Sequence, residues 1–210
     1  MVTYGKPLSE IPGLSNLLNK VLNDLGFEEY NELNGMYSEH LIIFAAIAST
    51  NKDIRNVLEI GTHNGKTACI LSRLFPNSKI TTIDLKDNDP NFRKTYMREK
   101  GLKCFINNRN ILLSNHKNID FIQNNSLSLS LAKNNLELQD LIWVDGAHGY
   151  PIVNSDITNS IKLMHKNTIL MCDDIWQKTY KNDKNYESNA GFETLSSFKE
   201  AKIIKTFFFR

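Results

Sequence analysis

Apolar residues recur at helical spacing in the first part of the chain. Leucines and a valine from position 14 to position 25 follow the i, i+3, i+4, i+7 rule, which predicts an amphipathic helix over residues 12–25. A second, more apolar segment predicts a helix over residues 37–49, with Ser38 placed to cap its start. We expect residues 1–50 to form an N-terminal helical extension that packs on residues 51–210, so that the chain is a single domain overall.

After this extension, short apolar runs alternate with helical stretches. Runs that are apolar throughout are typical of strands buried on both faces, and connections of helical length return each strand parallel to the last. The sequence therefore predicts an α/β fold with a doubly wound, mainly parallel, Rossmann-like sheet. The predicted strands are Asn56–Ile60, Lys79–Leu85, Ile119–Gln123, Leu141–Val144, Thr168–Cys172 and Ile203–Phe209. The predicted helices that follow residue 50 are 66–75, 91–100, 127–135, 150–166 and 190–201.

Composition narrows the classes of partner. The 25 Lys and Arg residues nearly balance the 23 Asp and Glu residues, so the net charge of +2 indicates neither nucleic acid nor an anionic membrane as partner. The N-terminus lacks a basic stretch followed by an apolar core, and no segment is long and apolar enough to cross a bilayer, so we expect a cytoplasmic protein. Three widely spaced cysteines, Cys69, Cys104 and Cys172, favour small buried residues over disulfides or a zinc site.

Two glycines, Gly61 and Gly65, follow the first predicted strand and open a helix. Such a turn lets a ligand approach the backbone and the free N–H groups of the helix. A phosphate-binding P-loop needs four residues between its glycines, and this loop has three. A dinucleotide fingerprint, G-x-G-x-x-G, needs a second glycine where this sequence has His63. A third candidate ligand, S-adenosylmethionine, contains no pyrophosphate, so a loop that binds it can have one glycine fewer than a dinucleotide-binding loop.

The run VLEIGTHNGKT at residues 57–67 resembles the first motif of class I S-adenosylmethionine-dependent methyltransferases. Its form, E-I-G-T-x-x-G-x-[ST], is similar to that of catechol O-methyltransferase-like enzymes and macrocin-type sugar O-methyltransferases. The resemblance covers roughly residues 36–175 and implies S-adenosylmethionine as the cofactor. The cofactor-binding residues that it implies in and after this motif are Glu59, Gly61, Thr62, Asn64, Gly65, Thr67, Asp84, Ser126 and Asp145.

Asp84 lies near the end of the second predicted strand, 23 residues after Gly61. An acid at this position can accept hydrogen bonds from both ribose hydroxyls of a nucleoside, and its alternative role is to cap the next helix. The family resemblance assigns ribose binding to Asp84 and contact with the adenine to Ser126.

Three acids follow two adjacent predicted strands: Asp145 after the fourth, and Asp173 and Asp174 after the fifth. Carboxylates brought this close repel one another unless a cation or a proton compensates, and they suit a hard divalent ion such as Mg²⁺. The alternative for each acid is a helix cap. The resemblance also implies that these three residues are the metal ligands.

His148 lies three residues after Asp145, at the mouth of the same expected site. An imidazole can remove the proton of a hydroxyl as that hydroxyl attacks the methyl group, and a His at this spacing is the base in macrocin-type relatives. The resemblance therefore implies His148 and Asp145 as the catalytic residues. The alternative is that His148 caps the following helix.

The pattern departs from the family at its C-terminal end, where a sixth strand and an antiparallel seventh are usual. This chain stops at Arg210, so we expect either a truncated sheet that lacks its last strand or a partner subunit, as in a homo-oligomer, that covers the edge. The aromatic residues Trp176, Tyr180 and Tyr186 are expected to form one wall of the acceptor pocket.

These features predict a Mg²⁺-assisted, S-adenosylmethionine-dependent O-methyltransferase. Its expected acceptor is a small hydroxylated molecule, with a sugar or a natural-product glycoside favoured. Two alternatives stay open: a metal-dependent protein similar to cephalosporin hydroxylase, and a non-catalytic protein that binds S-adenosylmethionine.

Overall fold

The computed structural model describes residues 11, 13–31, 39–95, 100–130, 136–177 and 189–206. The helices in this part of the chain are α1 (Leu14–Asp24), α2 (His40–Thr50), α3 (Lys66–Leu74), α4 (Pro90–Lys94), α5 (Leu102–Ser114), α6 (Ile152–Lys162) and α7 (Asn189–Glu200). The strands are β1 (Asn56–Ile60), β2 (Lys79–Asp84), β3 (Ile119–Gln123), β4 (Gln139–Val144) and β5 (Met164–Cys172). A 3₁₀ turn, Ser126–Ser130, follows β3.

The five strands form one parallel sheet in the order β3-β2-β1-β4-β5. The chain builds outward from β1 through β2 to β3, then crosses to the other side of β1 for β4 and β5. The order reverses between β1 and β4, and in such sheets ligands bind beyond the carboxyl ends of the strands at that point. The predicted doubly wound α/β fold is confirmed.

Helices cover both faces of the sheet because its strands are apolar on both sides. On one face, α1, α2 and α3 pack on alternate residues of the strands, including Val57, Ile80 and Trp143. On the other face, Leu58 and Val144 belong to a second cluster, with α6 and α7 packing together beside β5. The two N-terminal helices therefore share the main core with the sheet.

Helix α5 was not predicted from the sequence. Its apolar residues, such as Phe105 and Leu113, are spaced for a helix, but Asn and Arg separate them and dilute the pattern. Gly101 precedes the helix with a positive φ of 89°, and Leu113 packs against α3. The helix predicted over residues 91–100 is the short α4, which ends at Lys94.

The element bounds differ from prediction at the C-terminal end. The helix predicted over 150–166 ends at Lys162, and β5 begins at Met164, four residues before the predicted start, with an irregular register opposite Gln139. The strand predicted over Ile203–Phe209 is wrong in its described part, because 203–206 form no strand. Ile204 packs instead in the cluster of α6 and α7.

Some predictions fall on residues outside the described ranges. These include Ser38 as a helix cap, positions 96–99 and 131–135 of two predicted helices, Tyr180, Tyr186 and positions 207–209 of the last predicted strand. Of the helix predicted over 127–135, the described portion is the 3₁₀ turn. Within the described ranges, no helix is long and apolar enough to cross a membrane. The three cysteines form no disulfide: Cys69 is buried, Cys172 half-buried and Cys104, against expectation, exposed.

Candidate functional site

The end of β1 meets the end of β4 at Gly61. The backbone of Gly61 has a φ of 106°, in the region that favours glycine. A Cβ added to it would lie 2.1 Å from the carbonyl oxygen of Asp145 and 2.8 Å from the nitrogen of Gly146. Only a residue without a side chain allows this close approach, which lies at the reversal of strand order.

Three buried side chains, linked by hydrogen bonds, connect the glycine loop to β1 and β2. The hydroxyls of Thr62 and Thr82 are 2.6 Å apart, and Thr82 donates its proton to the carboxylate of Glu59. Since Thr82 has one proton to give, Thr62 donates to Thr82 when Glu59 is ionised. Glu59 is 1% exposed, and burial raises its pKa well above the ordinary value. Glu59 is therefore connected to the glycine loop by hydrogen bonds through Thr82 and Thr62.

The next loop residues connect the motif to β2. The backbone N–H of His63 donates to Oδ2 of Asp84 at 2.8 Å, and the N–H of Leu85 donates to Oδ1 at 2.8 Å. Each carboxylate oxygen has two lone pairs, so Asp84 keeps acceptor capacity for a ligand's hydroxyls. The sequence predicted Asp84 at this strand end, but it did not predict that the backbone of the glycine loop would hold its carboxylate.

Helix α3 begins where the motif ends. Gly65 has a φ of 81°, and its neighbour Asn64 accepts a hydrogen bond from the N–H of Lys66 at 3.0 Å. A Cβ on Gly65 would lie 2.9 Å from a methyl carbon of Leu113, so α5 also packs closely here. Thr67 is half-buried in the first turn. The loop that the sequence singled out is thus a tight turn with the N-terminus of α3 at its end.

Hydrogen bonds of the sheet continue one residue past β4 and β5. The N–H of Asp145 donates to the carbonyl of Ile60 at 2.8 Å, and the N–H of Asp173 donates to the carbonyl of Val144 at 3.0 Å. Asp145 and Asp173 therefore start side by side from neighbouring strands. Asp174 then turns the chain with a φ of 48°, a left-handed conformation that Asp tolerates better than most residues.

His148 lies between two of these carboxylates. Its Nδ1 is 2.8 Å from Oδ2 of Asp174, and its Nε2 is 3.4 Å from Oδ1 of Asp145, too far for a well-formed hydrogen bond. Interaction with Asp145 is the main reason that the pKa of His148 is raised, with burial opposing it and the charges of Asp174 and Asp173 adding to it. A raised pKa suits a group that receives a proton.

The three predicted acids interact electrostatically. Burial raises the pKa of Asp173, and the charge of Asp145 and, to a lesser degree, that of Asp174 raise it further. A divalent cation prefers oxygen ligands, and its charge stabilises carboxylates that would otherwise repel one another. As placed, however, the described side chains contain no group of three His, Cys, Asp or Glu residues that could enclose a metal ion. The acids fit a cation in chemistry, but their side chains do not form a closed site.

Two residues near this site were not predicted. His40, at the start of α2, has its ring 4.7 Å from the ring of Trp143, and burial lowers its pKa to about 4 while the charge of Asp173 opposes that effect. A histidine that opens an apolar helix carries no spacing signal, so the sequence could not place it here. The other residue is Asp156, an acid that lies between Val153 and Ile157 on the apolar face of α6. A charged residue on an apolar helical face is the feature of the sequence that could have indicated it.

The remaining predicted residues lie around these. Ser126 begins the 3₁₀ turn after β3, and its carbonyl accepts from the side-chain amide of Asn159 on α6 at 3.3 Å. Trp176 follows β5 and is 46% exposed, so its ring is available to a ligand. The structure thus brings the glycine loop to Asp84 and Asp145, and His148 to Asp145 and Asp174, while Ser126 lies against α6.

Comparison with family models gives a match over the part of the chain that carries these residues. A family model described as a methyltransferase domain matches residues 58–175, which include the glycine loop and all three acids. Comparison with curated proteins gives no match.

Solved structures with the same fold include methyltransferases. A protein described as a caffeoyl-CoA O-methyltransferase from Staphylococcus aureus is 12% identical, with a TM-score of 0.55 over 90% of this chain and 83% of that one. The O-methyltransferase TomG from Streptomyces achromogenes, solved with S-adenosylmethionine, is 16% identical, with a TM-score of 0.52 over 96% and 79%. The MycE methyltransferase of mycinamycin biosynthesis, solved with Mg and S-adenosylhomocysteine, is 15% identical, with a TM-score of 0.58 over 88% of this chain but 45% of its own.

Fold and site together are those of a parallel α/β sheet that carries a glycine loop, an aspartate and a histidine-containing cluster of acids at the carboxyl ends of its strands. The match to the family model identifies the class: this chain belongs to that methyltransferase family. It is a class I S-adenosylmethionine-dependent methyltransferase, and the resemblance inferred from VLEIGTHNGKT is confirmed.

Proposed function

We propose that this protein is a divalent-cation-assisted O-methyltransferase that acts on a small hydroxylated acceptor, with a sugar or a natural-product glycoside favoured. The observation that carries the proposal is the contact of His148 with the carboxylates of Asp145 and Asp174 at the point where strand order reverses. A base beside a cluster of acids, next to a cofactor loop, is an arrangement suited to taking a proton from a hydroxyl.

The cofactor side consists of the glycine loop and the acid that it holds. Gly61 lets the end of β4 approach the end of β1 closely, which shapes the loop, and Asp84, oriented by the N–H of His63, would offer its remaining lone pairs to the two ribose hydroxyls. Ser126 lies at the end of β3, beyond Asp84, where the adenine would extend. Glu59 and Thr62 fix the loop from beneath, and Asn64, Gly65 and Thr67 form its helical end.

The metal side consists of Asp145, Asp173 and Asp174. These residues would hold a divalent cation, most simply Mg²⁺, whose positive charge would offset their mutual repulsion and favour the loss of a proton from the acceptor hydroxyl. Within this group Asp145 is next to the glycine loop, since its backbone N–H donates to the carbonyl of Ile60. It would therefore align the two halves of the site.

His148 is the proposed general base. Its Nδ1 contacts Asp174, which fixes the ring and stabilises the imidazolium after proton uptake, and its Nε2 faces Asp145. With the cofactor supplying an electrophilic methyl group, the chain's own contribution is alignment of the two reactants and removal of one proton. Trp176, two residues after Asp174 in the chain, and His40, whose pKa is influenced by the charge of Asp173, would line the acceptor pocket.

The test is transfer of a labelled methyl group from S-adenosylmethionine to a panel of hydroxylated sugars and glycosides. We expect transfer with Mg²⁺, loss of transfer in excess chelator, and a loss of kcat of about 10²–10⁴-fold in His148→Ala with unchanged S-adenosylhomocysteine affinity. His116→Ala is the matched control, because His116 lies at the opposite end of the sheet beside Ser72. Transfer that survives both chelation and His148→Ala would contradict the proposal.

A further inference from the structure

Arg109 is a buried cation that the proposed reaction does not use. It lies in the middle of α5, its side chain is fully buried, and its guanidinium lies against two aromatic rings. The guanidinium carbon is 4.6 Å from the centre of the Phe121 ring on β3 and 5.6 Å from the centre of the Phe92 ring on α4. Removing a guanidinium from water is costly, so the contacts that it makes in exchange indicate what it does in the protein.

Asp87 carries the charge that compensates this cation. Nη2 of Arg109 donates to Oδ1 of Asp87 at 2.8 Å and to Oδ2 at 3.1 Å. Asp87 belongs to the segment 85–89, which connects β2 to α4 and follows directly after Asp84. Because the Asp87 side chain is only 28% exposed and the Arg109 side chain is buried, salt and water screen the pair weakly. The ion pair therefore ties the segment 85–89 to α5.

The same helix also contacts the glycine loop. A Cβ on Gly65 would lie 3.6 Å from Cγ of Arg109, so the aliphatic part of this side chain packs beside the turn that ends the loop. Phe105 lies one helical turn earlier on α5, and its ring centre is 5.4 Å from that of His63. The N–H of His63 in turn holds the carboxylate of Asp84. Helix α5 thus contacts the glycine loop directly and the segment beyond Asp84 through the ion pair.

The hydrogen bonds of Arg109 are not those of an ion pair optimised for stability. Its Nε and Nη2 share the side-chain oxygen of Asn110, and its Nη1 is buried without a hydrogen-bond partner among the described residues. A buried ion pair offsets the loss of hydration only where its donors are satisfied, and apolar residues of similar volume often stabilise a fold equally well. The distinct contribution of this pair is therefore where it holds the segment 85–89.

We propose that the Arg109–Asp87 pair positions the segment that follows Asp84, and with it the Asp84 carboxylate, for binding of S-adenosylmethionine. This inference rests on the proposed role of Asp84 in cofactor binding. Arg109 and Asp87 act through the backbone of the segment, so they are positioning residues. Without the pair, the N–H groups of His63 and Leu85 would hold the Asp84 carboxylate in a less fixed orientation. The ligand would then have to order the segment as it binds, which lowers its affinity.

The test separates cofactor affinity from fold stability in Arg109→Met. Methionine fills the space beside the two rings and makes favourable contacts with them, so the variant loses the charge and keeps the packing. We expect its melting temperature to stay within about 5 °C of the wild type. The Kd for S-adenosylhomocysteine, measured by titration calorimetry, should rise about tenfold, the effect of weakening one hydrogen bond to the ligand. Without ligand, amide hydrogen exchange should be faster in residues 85–89 and unchanged in β1.

Three further variants complete the test. Asp87→Asn nearly keeps the shape of the side chain but removes its charge, so it should weaken binding similarly and decides the matter if Arg109→Met does not fold. The two substitutions together should lose no more affinity than Arg109→Met alone, because both break one ion pair. Arg109→Lys keeps a cation beside the rings but not the planar fork, so it should restore part of the affinity. Arg73→Met, at the exposed far end of α3, is the control and should bind as the wild type.

The outcomes distinguish the inference from the function on which it rests. Wild-type affinity in folded Arg109→Met, or additive losses in the double variant, would overturn the positioning role and leave the methyltransferase site intact. Weaker binding accompanied by faster exchange throughout the sheet would indicate a general structural role and would overturn it too. Unchanged S-adenosylhomocysteine affinity in Asp84→Asn would instead contradict the proposed role of Asp84, whatever the result for Arg109.

Discussion

Replacing Gly61 with alanine tests whether the close approach of the ends of β1 and β4 shapes the cofactor loop. The new Cβ would lie 2.1 Å from the Asp145 carbonyl oxygen and 2.6 Å from its carbon, and both atoms belong to the backbone. An ordinary carbon–oxygen contact is about 3.3 Å, so the strand ends must separate by about 1 Å. No side-chain rotation can relieve this clash.

The expected cost has two parts. Alanine at a φ of 106° is strained by about 1–2 kcal/mol. Separating the strand ends weakens the 2.8 Å bond from the Asp145 N–H to the Ile60 carbonyl, which adds about 1–3 kcal/mol if the buried groups find no other partner. We therefore expect Gly61→Ala to lower the free energy of unfolding by about 2–5 kcal/mol and to weaken S-adenosylhomocysteine binding at least about tenfold.

Gly26→Ala is the matched control for this substitution. Gly26 also has a positive φ, 71°, but a Cβ there would meet nothing within 4 Å. It should therefore cost only the backbone strain of about 1–2 kcal/mol and leave ligand affinity unchanged. Urea unfolding followed by circular dichroism, with titration calorimetry on each variant, measures both quantities. Equal destabilisation by the two substitutions with unchanged binding in Gly61→Ala would refute the reasoning.

Two further predictions concern other carboxylates. Asp84→Asn should weaken S-adenosylhomocysteine binding by about tenfold or more, because a charge-assisted hydrogen bond to the ribose is lost, while Asp89→Asn at the start of α4 should bind as the wild type in the same calorimetry. Burial raises the pKa of Asp156 from 3.8 to about 6, so the folded state holds this proton more tightly than the unfolded state and stability falls as the pH rises through that interval. Urea unfolding at pH 5 and pH 7.5 should therefore show Asp156→Asn gaining about 1–2 kcal/mol on the wild type at the higher pH, and parallel curves would contradict this.

The sheet could be predicted because its strands are short, apolar and separated by helices. The five strands in the described part of the chain were all expected, since burial on both faces leaves a continuous apolar run such as that of β1. The errors fall where an apolar run serves helix packing instead, as at Ile204, or where polar residues interrupt a helical pattern, as in α5. Periodicity describes the burial of a segment, but it does not say against which element the segment packs.

The candidate site was predictable where parallel strands end together. Asp145 and Asp173 were expected side by side because neighbouring strands deliver them in register, and the described structure has them so. The contact of His40 with Trp143 depends on how α2 crosses the sheet, which no local spacing encodes. The burial of Asp156 depends on the packing of α6 against the 3₁₀ turn, although an acid on an apolar helical face was a visible signal.

Binding of a divalent cation by the carboxylate cluster is the central claim of the proposed mechanism. Mn²⁺ binding to the S-adenosylhomocysteine-loaded protein, followed by electron paramagnetic resonance, measures it directly. We predict one bound ion per chain in the wild type and in Asp120→Asn, whose acid lies on the edge strand β3, and loss of that ion in Asp145→Asn and Asp173→Asn. Unchanged Mn²⁺ binding in the last two variants, or no bound ion in the wild-type protein, would contradict the account.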